Sequence, residues 1–203
     1  MTETTARRDE ILAAAAVLFA RKGIKATTVR EIGDVVGVLS GSLYYHFDSK
    51  DTMAREILMD FLTAIQKRYA TVLAGSSDAA DGLRQLVGAS LQLARDKPHA
   101  TAIYQNELHY LRENPRFSDV QEAAADVQRT WLDLIERGVA EGSFRADIPP
   151  RTFHRLVRDA VWLSGRSVRT DRDYPAERVA DDITTIVLHG FAAGSPQARD
   201  RTD

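Results

Sequence analysis

The chain has 203 residues, a formal net charge of −2 and no cysteine. That length allows a small head and a larger helical body over a continuous core. The absence of cysteine excludes disulfides and thiolate metal sites and makes a reducing cytoplasm the expected compartment. No apolar run reaches membrane-spanning length, and the opening MTETTARRDEIL has no signal-peptide h-region, so no membrane association is expected.

A charge this close to neutral argues against an unspecific nucleic-acid coat. Residues 1–50 carry seven Lys/Arg against six Asp/Glu, and the remainder carries 20 against 23. A single head would therefore bind a polyanion weakly, and two heads joined in a dimer would be needed for useful affinity.

Residues 6–22 place Ile11, Ala15, Leu18 and Phe19 at helical spacing, and Gly23 is a natural stop. Arg7 and Arg8 have two readings, a basic arm that reaches phosphates or a solvated first turn. Thr28 followed by Glu31 fits a capping box, after which Val29, Ile32, Val35 and Val36 form the buried stripe of a two-turn helix. The free amides at its start suit a phosphate near Thr27 and Thr28, although capping alone accounts for the same threonines.

Gly37 permits the left-handed conformation of a sharp inter-helix turn, with Val38 packing beneath it. Ser40 is the expected N-cap of a short helix from Gly41 to Phe47, in which Leu43 and Phe47 face inward. Ser42, Tyr45 and His46 then share the outward face, with Tyr44 at its flank. Such a face lacks the Lys/Glu dressing of an idle surface and offers hydroxyls, an imidazole and flat rings to groove edges and phosphates. Gly41 would allow close backbone approach to DNA, and Lys50 would clamp a phosphate at the mouth of the next helix. Together these are the marks of a helix-turn-helix DNA reader.

Asp48 or Ser49 is expected to cap a long helix to about Leu73, with Met53, Ile57, Phe61, Ile65 and Tyr69 four apart. After the break at Gly75-Ser76-Ser77-Asp78, a helix through Leu83, Leu86, Val87, Leu91 and Leu93 stops near Lys97-Pro98. A further helix is expected from His99 to Glu113. Its polar members Tyr104, Gln105, Asn106, Glu107 and His109, among apolar Ile103, Leu108 and Leu111, would suit either a ligand cavity or a hydrogen-bonded helix edge. Glu107 and His109 are two apart and point to different helix faces, so no metal site is expected.

Residues 116–141 predict one long helix containing Val120, Val127, Trp131, Leu134 and Ile135, and Arg151 to Ser167 predict another. In the latter His154, Arg158 and Trp162 share a stripe. One reading is structural, with the arginine stacked on indole or paired near Asp159; the other is an anion anchor and aromatic wall in a ligand pocket. Beyond a polar loop from Arg169 to Tyr174, Pro175 opens a last helix with Val179, Ile183, Ile186, Val187 and Phe191, followed by the polar tail SPQARDRTD. Two apolar helices ending an all-helical chain point to self-association as a four-helix interface, and a two-fold dimer matches a palindromic operator.

The run ILAAAAVLFARKGIKATTVREIGDVVGVLSGSLYYHFDSKDTM resembles the N-terminal signature of TetR-family transcriptional repressors, above all at Gly37-Val38, Gly41, Leu43 to Phe47 and Ser49-Lys50. It departs from that pattern at Gly33 and Val36, where alanine is frequent, and at Leu39, where a small polar residue is common. Tyr104 to Glu107, Arg116 to Ser118, Glu141 to Arg145 and Arg158 to Trp162 are similar to segments of the KstR-type actinobacterial repressors of cholesterol catabolism, especially those of the C/D-ring stage. The run Leu39 to Tyr44 is similar too, which makes Leu39 a trait of that subgroup.

These resemblances imply an all-α homodimeric repressor with a helix-turn-helix DNA-binding domain over 1–50 and a ligand-binding and dimerisation domain over 51–203. Its operator is double-stranded DNA. Its implied effector is a coenzyme A thioester of a steroid-ring catabolite, with no cofactor; another lipophilic ligand, such as a drug or a fatty acyl-CoA, is the alternative. The expected DNA contacts are Thr27, Thr28, Arg30, Ser40, Gly41, Ser42, Tyr44, Tyr45, His46 and Lys50. The expected effector contacts are Tyr104, Leu108, Trp131, Arg158 and Trp162. An enzyme is not expected, because the chain has no phosphate loop, HExxH, G-x-S-x-G or cysteine nucleophile.

Overall fold

The structure, a computed structural model, describes residues 3–167 and 175–191. Among these it forms ten α-helices and no strand, the all-α class expected: α1 (Glu3–Lys22), α2 (Val29–Val36), α3 (Ser40–Leu43), α4 (Lys50–Ala74), α5 (Ala79–Asp96), α6 (Pro98–Asn106), α7 (Leu108–Glu113), α8 (Ser118–Ala140), α9 (Pro150–Ser167) and α10 (Ala176–Phe191). The expected loop from Arg169 to Tyr174, the side chain of Phe191 and the polar tail lie outside the described residues. None of the described helices is long and apolar enough to cross a membrane.

Contacts group the chain into two compact units, one of residues up to Lys67 with Leu93–Val127, the other of Arg68–Gln92 with residues from Gln128 on. In the first, α1 packs against α2 and α6, and α2 packs against α3. Ile11, Ala15, Phe19, Ile24, Ile32, Leu43, Phe47 and Met53 are buried there. Removing such a side chain from water stabilises the fold by roughly 1.5–3 kcal/mol. The four-apart series of α4 is buried from Met53 to Tyr69, as its spacing predicts. Ser49 caps that helix, its Oγ accepting the Thr52 amide at 3.1 Å.

Two expected helices are interrupted. The predicted helix from His99 to Glu113 divides at Glu107 (φ −102, ψ 12) into α6 and α7. The Glu107 amide still donates to the Ile103 carbonyl at 3.0 Å and its own carbonyl accepts from Leu111 at 2.9 Å, so the division is a kink. It falls where the Glu107 carboxylate comes against Gly23: a Cβ on that glycine would lie 2.8 Å from Oε1. The predicted helix over 116–141 begins instead at Ser118, because Pro115–Phe117 forms a 3₁₀ turn. The Asn114 side chain holds that turn by accepting the Arg116 amide at 3.1 Å.

In the second unit Leu83, Leu86, Val87, Leu91, Trp131, Leu134, Ile135, Phe144, Phe153 and Val157 form the core. A chain of hydrogen bonds threads it. The Trp131 indole N–H donates to the Tyr69 hydroxyl (3.2 Å), which lies 2.6 Å from Ser90 Oγ, and Ser90 in turn donates to the Leu86 carbonyl (2.7 Å). Each polar side chain of this hydrogen-bonded series thus has a partner, as low-dielectric surroundings demand. α9 packs against α10, leaving Leu156 and Leu163 on the first and Ile186 on the second exposed.

Candidate nucleic-acid interface

The turn between α2 and α3 is built from α2 outward. Thr28 caps that helix: its Oγ1 accepts the Glu31 amide (3.2 Å) while Glu31 Oε2 accepts the Thr28 amide (2.9 Å), completing the capping box. Glu31 also pairs with Lys22 on α1. The Lys22 hydrogen bond, aided by those from Thr28, lowers the Glu31 carboxyl to about 2. At the other end Gly37 takes φ 71, ψ 35, the left-handed cap that only glycine adopts without strain. Gly33 serves a different need, since a Cβ there would lie 2.8 Å from the Val38 carbonyl oxygen. The departure from alanine at Gly33 is therefore required by the closeness of this turn.

The reading segment differs from its expected form. α3 begins at Ser40 with Leu39 as its N-cap, in place of Ser40 capping a helix from Gly41, and no side chain caps it. Its α-helical stretch ends at Leu43. Beyond it the chain tightens, with Tyr45 donating to the Ser42 carbonyl (3.3 Å) and His46 to the Leu43 carbonyl (3.0 Å). The tightening keeps Leu43 and Phe47 buried and leaves Gly41, Ser42, Tyr44 and Tyr45 exposed, with His46 partly so. Tyr45 is 86% exposed and meets the His46 ring edge-on, the ring centres 5.5 Å apart. A face carrying a hydroxyl, two phenols, an imidazole and a bare glycine fits base edges and phosphates.

The flanking residues are sorted by the fold. Thr28 and Arg30 are exposed at the start of α2, whereas Thr27 is fully buried with its hydroxyl on the Gly23 carbonyl (2.8 Å). Thr27 holds the loop instead of presenting a hydroxyl outward. Lys50 Nζ reaches the carbonyls of Lys25 and Thr27, both at 2.8 Å, and so fastens the start of α4 to the same loop. Val35, expected in the buried stripe, is 62% exposed, because in a helix this short Ile32 and Gly33 already fill the inward face.

The basic-arm reading of Arg7 and Arg8 is overturned. Arg7 pairs with Glu10 and donates to the Val36 carbonyl at 2.9 Å, closing the end of α2. Arg8 grips Glu56 with both terminal nitrogens, its Nη2 at 2.6 Å, and lies 4.4 Å from the Phe47 ring centre. Residues that sequence reasoning passed over, Asp51 and Tyr110, join at 2.9 Å. Asp51 also takes Asn114 (3.4 Å) and Arg116 (3.3 Å), and a surface cleft of about 350 Å³ lies between Asp48, Asp51, Arg55 and Arg116.

The five expected effector residues divide between the units. Tyr104 and Leu108 belong to the first, both half-buried, with the Tyr104 ring 5.6 Å from that of Phe61. Trp131, Arg158 and Trp162 belong to the second. Trp131 is 5% exposed, with its N–H engaged by Tyr69 and its ring 5.8 Å from His154. Arg158 donates to Asp159 through Nε (3.0 Å) and Nη2 (2.8 Å). Burial, with Arg158 nearby, lowers His154 to about 4, so its imidazole is neutral near pH 7. His109 lies 3.3 Å from Glu113, one turn along α7, and no metal-binding cluster occurs among the described residues.

A three-helix head with two short helices about a glycine turn, in an otherwise all-helical chain, defines a bacterial helix-turn-helix regulator. Residues 11–57 match the family described as bacterial regulatory proteins, tetR family, and residues 76–191 match the tetracyclin repressor-like C-terminal domain. The chain belongs to the TetR family of transcriptional repressors, which bind operator DNA as homodimers under the control of a small molecule and are not enzymes.

Among its relatives is the HTH-type transcriptional repressor KstR2 of Rhodococcus jostii RHA1, 41% identical over 92% of each chain. KstR2 of Mycolicibacterium smegmatis is 39% identical over 94% of this chain and 93% of that one. The solved structure of the ketosteroid transcriptional regulator KstR2 of Mycobacterium tuberculosis superposes with a TM-score of 0.83 at 36% identity, covering 92% of this chain and 95% of that one.

Proposed function

We propose that this repressor binds a palindromic operator in the cytoplasm and is released by a coenzyme A thioester of a steroid-ring catabolite. The observation that carries the effector assignment is likeness along nearly the whole chain, effector-binding part included, to KstR2 repressors, that of Mycobacterium tuberculosis being a ketosteroid transcriptional regulator. In this reading residues 1–50 form the DNA-binding domain and 51–203 the effector and dimerisation domain. Thr28, Arg30, Ser40, Gly41, Ser42, Tyr44, Tyr45, His46 and Lys50 face the operator, with Thr27 acting from beneath as the anchor of Lys50. The exposed Leu156, Leu163 and Ile186 supply apolar surface for the dimer.

Arg158 supplies the anion contact of the effector site, exchanging Asp159 for a phosphate or carboxylate, and Trp162 one turn away supplies a flat wall. Trp131, in the same unit, is a further proposed effector contact, and Tyr104 and Leu108 are those proposed in the first unit. The effector must favour the geometry that does not fit DNA, and DNA must then weaken effector binding by the same factor. A coupling of roughly 1–3 kcal/mol corresponds to about a 5–150-fold change in affinity.

The test is release of the protein from its own upstream intergenic DNA at fixed salt, titrating steroid-ring acyl-CoA thioesters, the matching free acids and free coenzyme A. Release by the thioester alone is expected. Tight binding that none of these relieves would retain the repressor and discard this effector. Arg158→Met is expected to bind the same DNA normally and to require far more thioester for release; an unchanged response removes Arg158 from the site.

A further inference from the structure

The reading segment carries one large apolar side chain that the protein itself does not use. Leu39 is 83% exposed, although it immediately precedes α3 in a turn whose other apolar members, Val38 and Leu43, are partly or wholly covered. Two residues on, Gly41 has a negative φ, and a Cβ built on it would meet nothing within 4 Å. Neither the backbone conformation nor the packing of this chain calls for a glycine there. The segment thus combines an uncovered apolar knob with a stretch of backbone cleared of side chain for something outside the chain.

We infer that Leu39 is a specificity-determining residue that reads the C5-methyl group of a thymine in the major groove. The inference rests on the proposed DNA-facing role of residues 40–46. In helix-turn-helix readers the leading residues of the second helix reach base edges, and Gly41 removes the bulk that would hold that leading end away. Leucine has no hydrogen bond to give, so it cannot distinguish the donor and acceptor groups of the bases. The one apolar group that the major groove presents is the thymine methyl. Val35, near the end of the preceding helix, is also exposed, at 62%.

The test uses the full chain and the duplex it retains from a random pool. Each thymine is replaced in turn by deoxyuridine, which deletes only the methyl group, and affinity is measured at fixed salt for the wild type and for Leu39→Ala. One symmetric pair of thymines is expected to matter. Loss of the methyl in one half-site should weaken the wild type about fourfold, and in both about 15-fold, as burial of one methyl group allows. Leu39→Ala should show the weakened affinity already and should not respond to deoxyuridine at that pair.

A methyl effect of equal size in both proteins would overturn the inference by assigning the methyl to another residue. No methyl effect with a weakened Leu39→Ala would overturn it in favour of a sugar contact, and an unaltered Leu39→Ala would remove the residue from the interface. Tyr45→Ala and Ser42→Ala are measured on the same duplex. Unchanged affinity in both shows the DNA-facing assignment itself to be wrong, and if no duplex is retained from the pool both assignments fall.

Discussion

The two short helices on either side of Gly37 are secured in opposite ways. α2 has a reciprocal capping box, an ion pair from Glu31 to Lys22, a left-handed glycine at its end and Arg7 on its last carbonyl. α3 has four residues and no side-chain cap, and with the tight turn that follows it presents an outward face of hydroxyls and rings. Both ends of the first helix are closed within the chain, while the second is left without a cap and with its polar side chains outward. In a DNA reader the supporting helix must already be rigid before the second can be aimed without further ordering cost.

That contrast can be broken most forcefully from beneath. Phe47 is one of the two buried anchors of the reading segment and lies under Arg8, so Phe47→Ala should lower unfolding stability by about 3–5 kcal/mol in urea titrations. Gly33→Ala should be smaller, about 1–3 kcal/mol, because the new Cβ presses on the Val38 carbonyl and the turn must shift. Thr28→Ala removes one half of the capping box, for about 1 kcal/mol by the same measurement.

Acid should sharpen the same comparison. Glu31 is held at about 2 against an ordinary 4.5, so the unfolded chain takes up its proton first as pH falls. Its stabilising contribution is complete above pH 4.5 and is lost as pH falls from there through about 2; Glu31→Gln should flatten the stability profile in that window alone. On the exposed segment from Ser40 to His46 the outcome should reverse. Tyr45→Ala should change stability by no more than about 0.5 kcal/mol. It should nevertheless weaken operator binding by about 1–3 kcal/mol, and an unchanged operator affinity would count against the assigned face.

Features with a local cause were legible in the sequence. The capping box needs only Thr28 and Glu31 three apart, Gly37 marks its own turn, and the α4 stripe repeats every four residues to Tyr69. Features decided by distant partners were not. Thr27 and Thr28 look alike in the chain, yet one is sealed under Lys50 and the other caps a helix. Arg7 and Arg8 read as a loose basic start because Val36 and Glu56, which hold them, lie 29 and 48 residues away. The kink at Glu107 has neither glycine nor proline to announce it, and falls where the Glu107 carboxylate lies against Gly23 in another helix–loop junction. Leu39 departs from the TetR pattern, and its exposure is set by the turn in which it sits and not by its residue type.

Lys50 and Asp51 are consecutive residues that hold different things. Lys50 grips the carbonyls of Lys25 and Thr27, and Asp51 receives Tyr110, Asn114 and Arg116. Burial and the neighbouring carboxylate raise the Tyr110 phenol above its ordinary range, so it remains a donor at neutral pH. Neighbouring Cα atoms are about 3.8 Å apart across a trans peptide, which behaves as a nearly inextensible link. The two grips are therefore in series, like two clamps on one short rod. A displacement of the 110–116 segment is passed through a single peptide link to the residue that holds the loop carrying Thr27, unless the hydrogen bonds of Asp51 or of Lys50 give way first.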